Sequence, residues 1–177
     1  MKFVLFSLVA SLAVTSASAS MKRQDHINGK IESISQPGRC LDLYAGTVQV
    51  GTSLTVKDCQ TARKWDYIRT LEGEIKLSDT AMAISDIGPD EGPRSGIMLL
   101  NDSQSKEQKF TFHDNGRIYY MSDPPKCLEL SIADEDDPDF EPPRWTKGTA
   151  SISLKQCLDK DDTGQYQTWR DYVEPAS

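Results

Sequence analysis

Past residue 14 the sequence has no long apolar run, so no later stretch is expected to cross a bilayer as a helix. It has no C-x-x-C pair, and its two histidines, His26 and His113, lie far from any pair of cysteines, which argues against a zinc site. G-x-S-x-G, H-E-x-x-H and a glycine-rich phosphate loop are all missing, which removes the usual frameworks for hydrolytic and phosphoryl-transfer chemistry. Carboxylate pairs abound, but on an acidic chain they mean nothing without a cleft and the separation a glycosidase needs. No enzyme, no metal and no cofactor is expected. Basic charge is also short: 20 Lys and Arg stand against 27 Asp and Glu, a net charge of −7. That sign argues against nucleic acid or anionic lipid as a partner. No window of a dozen residues carries a sustained helical stripe.

What is present begins with Lys2 and the short apolar run Phe3 to Val14, followed by the small residues Ala17-Ser18-Ala19. This is the pattern of a secretory signal peptide over residues 1–19. Lys22-Arg23 then forms a dibasic pair resembling a kexin-type processing site, with residues 20–23 as a short propeptide and a mature start at Gln24. Loss of Lys2, Lys22 and Arg23 leaves the chain still more acidic. Residues 24–177, roughly 150 in number, suffice for a single domain with its own core. A secreted, extracellular location makes Cys40, Cys59, Cys127 and Cys157 candidates for two disulfides, with three possible connectivities.

The chain repeats itself. Gly29-Lys30-Ile31, Gly73-Glu74-Ile75 and Gly116-Arg117-Ile118 are spaced by 44 and 43 residues. Each is followed by a short apolar patch: Cys40-Leu41-Asp42-Leu43, Ala81-Met82-Ala83-Ile84 and Cys127-Leu128-Glu129-Leu130. An alternating segment comes next: Leu54-Thr55-Val56, Ile97-Met98-Leu99 and Ile152-Ser153-Leu154. Each copy closes on an aromatic, Trp65, Phe110 or Trp169. Period-two alternation predicts strands, and Asn28-Gly29 and Asn115-Gly116 sit where tight hairpins would begin. Units of about four strands cannot bury a core singly. A closed barrel with pseudo-threefold symmetry solves that, with the three aromatics meeting in a shared core. The repeats run over about 27–70, 71–113 and 114–173, and a last strand near Arg170–Val173 pairs with the first near Ile31–Ile34. The fold class is all-β.

The repeat also discriminates among the disulfide pairings. Cys40 and Cys59 fall in the first copy, and Cys127 and Cys157 hold the corresponding places in the third. The second copy has Ala81 and, approximately, Asp102 there, so both partners are absent together. This paired absence favours Cys40–Cys59 and Cys127–Cys157.

C-L-D-L, then an L-x-V strand ending in Cys, then Q-x-W, three times over, resembles the ricin B-type lectin family across residues 27–173. The resemblance implies a β-trefoil and binding to galactose-type or related sugars, weak at each site and strengthened by several sites or a dimer. It implies that the acid of C-x-D accepts hydrogen bonds from sugar hydroxyls. An aromatic two residues before the second Cys would stack on the sugar, and an Asn and Gln near Q-x-W would complete the polar contacts. The first copy keeps Asp42 but has Lys57 for the aromatic and Ala62 and Arg63 for Asn and Gln. The third has Glu129, Lys155 and Tyr166-Gln167; the second has Ala83 for the acid and keeps Gln108. Tyr44 and Tyr166 are substitute stacking faces. The alternative for Asp42 and Glu129 is a turn-stabilising carboxylate, or one paired with Lys57 or Lys155.

The run Ala133 to Trp145 holds six acids and three prolines and predicts a solvated loop in which Arg144 and Trp145 could anchor a protein partner. Neither this run nor Asp159–Gly164 has the spacing of a calcium loop. Asn101-Asp102-Ser103 is an N-glycosylation sequon. Two functions are therefore expected: a secreted carbohydrate-binding protein, or a secreted trefoil that has lost sugar binding and engages or inhibits another protein.

Overall fold

The structure is a computed structural model and describes residues 26–88, 96–132, 150–158 and 164–175. The leader, the dibasic pair, the 133–145 loop with Trp145, and most of the Asp159–Gly164 run lie outside the described residues. The chain is all-β, and among the described residues no helix is long and apolar enough to cross a membrane.

The strands form a nearly closed ring. Strands β1 (His26–Gly29) and β2 (Ile31–Ser33) are one extended segment interrupted at Lys30. β1 pairs with β5 (Trp65–Ile68), and β5 pairs with β7 (Lys76–Leu77). β6 (Glu72–Gly73) pairs with β10 (Phe110–Phe112), which pairs in turn with β11 (Ile118–Tyr120). β14 (Trp169–Asp171) pairs with β2 through Trp169–Ser33, Arg170–Glu32 and Asp171–Ile31, the expected union of last strand and first. The remaining gap is spanned by Trp169 N–H donating to the Gly116 carbonyl at 2.7 Å.

Three hairpins pack together beside this ring: β3–β4 (Arg39–Leu43, Thr52–Asp58), β8–β9 (Met82–Asp86, Ile97–Asn101) and β12–β13 (Lys126–Ile132, Ala150–Gln156). β4 pairs with β9 at Thr52–Leu99, and the Thr55 hydroxyl donates to the Ala150 carbonyl at 2.6 Å. Alternation sends Leu41, Leu43, Leu54 and Val56 inward with Ile84, Leu99, Leu128 and Ile152, to meet Trp65, Phe110 and Trp169 in one core. The two tryptophans are buried completely. Trp65 Nε1 donates to Leu41 O at 3.0 Å and Trp169 Nε1 to Leu128 O at 2.9 Å, so each ties its ring strand to a hairpin.

The two Asn-Gly pairs part company. Asn115-Gly116 makes the turn between β10 and β11, with Gly116 at φ +84°. A Cβ there would lie 2.9 Å from Trp169 O, so glycine is required twice over. Asn28-Gly29 makes no turn: it lies inside β1, and the Asn28 amide donates to Asp66 Oδ1 at 2.6 Å and Ser78 Oγ at 3.0 Å. Its side chain is used to bridge strands, which corrects the sequence expectation.

The disulfides are Cys40–Cys59 and Cys127–Cys157, the favoured pairing. Strand register refines the second copy. Three residues before the second cysteine, Val56 pairs with Leu41 and Leu154 with Leu128; three before Asp102, Leu99 pairs with Ile84. The place of Cys40 is therefore taken by Ala83, not Ala81, and the place of Asp42 by Ser85, not Ala83. Where the cystine would be, Lys76 Nζ reaches Asp102 Oδ2 at 2.6 Å and Glu74 at 3.6 Å, and Lys109 joins Glu74. Ala83 and Asp102 have the separation of Cys40 and Cys59. The double variant Ala83→Cys, Asp102→Cys is expected to form a third disulfide and gain about 2–3 kcal/mol of stability. Thiol titration before and after reduction, with urea midpoints, checks this.

Buried Glu32 on β2 accepts from Gly38 N and from Arg170 Nε, each at 2.7 Å, and so holds β14 on the first strand. The Arg170 hydrogen bond, helped by Gly38 and opposed by burial, holds this carboxyl below its ordinary 4.5. A depressed carboxyl stabilises the fold above its ordinary value and loses that contribution as pH falls through the folded value. The urea midpoint is therefore expected to drop below about pH 5, and more shallowly in Glu32→Gln.

Candidate functional site

Asp42 lies on β3 between the core residues Leu41 and Leu43, opposite Thr55, and is 1% exposed. Its Oδ1 accepts from Leu43 N at 2.6 Å and from Arg63 Nη1 at 2.7 Å, while Arg63 Nη2 donates to Gly46 O at 2.7 Å. Lys57 Nζ stands 3.9 Å from Oδ2, which has no hydrogen bond. Arg63, in the position of the Gln of Q-x-W, thus lies against the carboxylate that would receive a ligand hydroxyl. The sequence showed the Gln-to-Arg replacement as a loss; its partner, the buried acid, was the missing half of the signal. Tyr44 is 44% exposed in the turn that leaves β3, while Ala62 is buried against the Cys40–Cys59 cystine.

The third unit is arranged differently. Glu129 lies on β12, half-buried and directly opposite Ser153. Gln167 is fully buried: its Nε2 donates to Glu129 Oε2 at 2.8 Å and to Gln156 O at 3.0 Å, and its Oε1 accepts from Leu158 N at 3.0 Å. Glu129 Oε1 has no hydrogen-bond partner among the described residues. Lys155 is exposed opposite Cys127 and makes no ion pair with Glu129. Tyr166 is 40% exposed on a short 3-10 turn packed against β12. The structure therefore brings together Glu129 and Gln167, with Lys155 one strand away.

Gln108 in the second unit does what Gln167 does in the third. Its Nε2 donates to Asn101 O at 2.8 Å, and its Oε1 accepts from Ser103 N at 2.8 Å and Ser103 Oγ at 3.0 Å. In both units the glutamine clamps the end of a hairpin from within. Asn101 is exposed at the end of β9, where a cavity of about 490 Å³ also borders Ser85, Glu107 and Gln108. A second cavity, of about 230 Å³, lies along β13 between Lys126, Ser153 and Lys155 on one side and Asp86, Gly88 and Gly96 on the other.

No protein-family model matches this chain, and no curated protein matches it either.

Proposed function

We propose that the chain is a secreted β-trefoil of the ricin B lectin type that binds glycan at its third unit. The nearly closed ring with three hairpins beside it supports the trefoil reading, as do the two cystines at one register and the matching tryptophan-to-carbonyl bonds. The observation that carries the sugar reading is Glu129: one carboxylate oxygen is fixed by Gln167 and the other has no partner among the described residues. A carboxylate held on one side and open on the other suits a pair of sugar hydroxyls, which give short, charge-assisted bonds. Asp42, committed to Arg63 and buried, takes no part.

A glycan array on residues 24–177 tests this. Glu129→Ala is expected to lower binding to a responsive glycan by tenfold or more, and Asp42→Asn to leave it within about twofold. Equal binding by Glu129→Ala and the parent would sink the assignment.

The second reading, an interaction protein without sugar binding, is favoured by lysine at both stacking positions, Lys57 and Lys155, and by the closure of Asp42. A blank array together with a saturable extracellular protein partner would select it.

A further inference from the structure

Lys155 holds a position where a neutral sugar would be expected to find an aromatic face, and the structure gives it company. With Lys126 it lines the 230 Å³ cavity along β13, and neither ammonium has a partner among the described residues. Ser153 lines the same cavity, and its hydroxyl is buried without a hydrogen bond. Asp86, the acid in the described lining, is already engaged: its Oδ1 accepts from Gly88 N at 3.0 Å. On a chain with an excess of acids, two lysines against one acid in the described lining make this cavity locally basic. Such a set lacks an acceptor: an oxyanion would take a hydrogen bond from Ser153 and the charge of both lysines.

Ser153 is also the residue directly across from Glu129, about 5 Å away at Cβ as such pairs are. Cavity and carboxylate therefore adjoin. Resting on the glycan reading above, we propose that the ligand of the third unit is an acidic saccharide. Its hydroxyls meet Glu129 Oε1, and its carboxylate or sulfate enters the cavity between Lys126, Lys155 and Ser153. The charged substituent replaces the stacking ring as the source of selectivity, which accounts for lysine where an aromatic is absent.

The test uses residues 24–177 with both disulfides intact and four probes: trigalacturonate, its neutral methyl ester, galactose 3-sulfate and inorganic sulfate, titrated by calorimetry or ligand-observed NMR. The acid trisaccharide is expected to bind about tenfold more tightly than its ester, with the difference shrinking at high salt. Lys126→Ala with Lys155→Ala should abolish that preference, and Ser153→Ala should reduce it. Unchanged ester binding, or an unchanged melting temperature, shows that these variants are folded. The uronate and sulfate arms decide which oxyanion is preferred, and inorganic sulfate alone should bind far more weakly because it forgoes Glu129. Equal binding of acid and ester, or a preference that survives removal of both lysines, overturns this inference and leaves the glycan reading standing. Failure of every saccharide to bind the parent chain overturns both.

Discussion

Trp169→Ala is expected to cost about 4–5 kcal/mol, enough to leave much of the protein unfolded at room temperature. The indole is fully buried in the common core, so truncation removes the largest side-chain volume available there. It also strands the Leu128 carbonyl, which accepts the Nε1 proton at 2.9 Å in a place that water does not reach. The residue begins β14, whose pairing with β2 and bond to Gly116 close the ring. Trp169→Phe should cost only about 1–2 kcal/mol, the hydrogen bond and a modest void. The second unit already runs on that chemistry, since Phe110 packs in the same core with no donor to offer. Urea denaturation followed by far-UV dichroism separates the two variants. A loss below about 2 kcal/mol for alanine would show that the ring does not depend on this side chain.

The second large effect belongs to Arg63→Ala, expected to destabilise by about 3 kcal/mol. Asp42 is buried, and Arg63 supplies its one short ionic hydrogen bond at 2.7 Å. Lys57, at 3.9 Å and on a partly exposed stem, is too distant to replace that bond, so removal of the guanidinium leaves a carboxylate in the interior with Leu43 N as its remaining donor. Arg63 also holds Gly46 O, so the turn after β3 loosens with it. Removing both members, as Asp42→Ala with Arg63→Ala, should cost less than Arg63→Ala alone, because no buried charge remains. A double-mutant cycle is expected to give a coupling of about 2 kcal/mol. Additive losses would show that the pair is not coupled.

The strands, the core aromatics and the disulfide partners were legible because they repeat: Leu54-Thr55-Val56 and its counterparts alternate, and alternation is what a half-buried strand imposes on composition. The second-copy register was not legible. Ala81-Met82-Ala83-Ile84 and Ala83-Ile84-Ser85 both place an apolar residue where Leu41 stands, and without a cysteine nothing in the segment distinguishes them. Asn28-Gly29 failed as a turn signal because the same dipeptide serves a strand when Asn28 finds Asp66 and Ser78, partners 38 and 50 residues away. At the candidate site the residue types were plain, but their commitments were not. That Arg63 closes Asp42 while Gln167 engages a single oxygen of Glu129 among the described residues depends on side chains converging from separate strands. Linear spacing carries no record of that convergence.

The seam between Ser33 and Trp169 has a consequence for biosynthesis. Glu32 and Arg170, 138 positions apart, must meet before the ring shuts, so this fold cannot be completed until the ribosome has passed Arg170. A premature stop upstream of Trp169 therefore yields no smaller working version, only an open sheet with bare edges. Such a product is prone to aggregate or to be degraded.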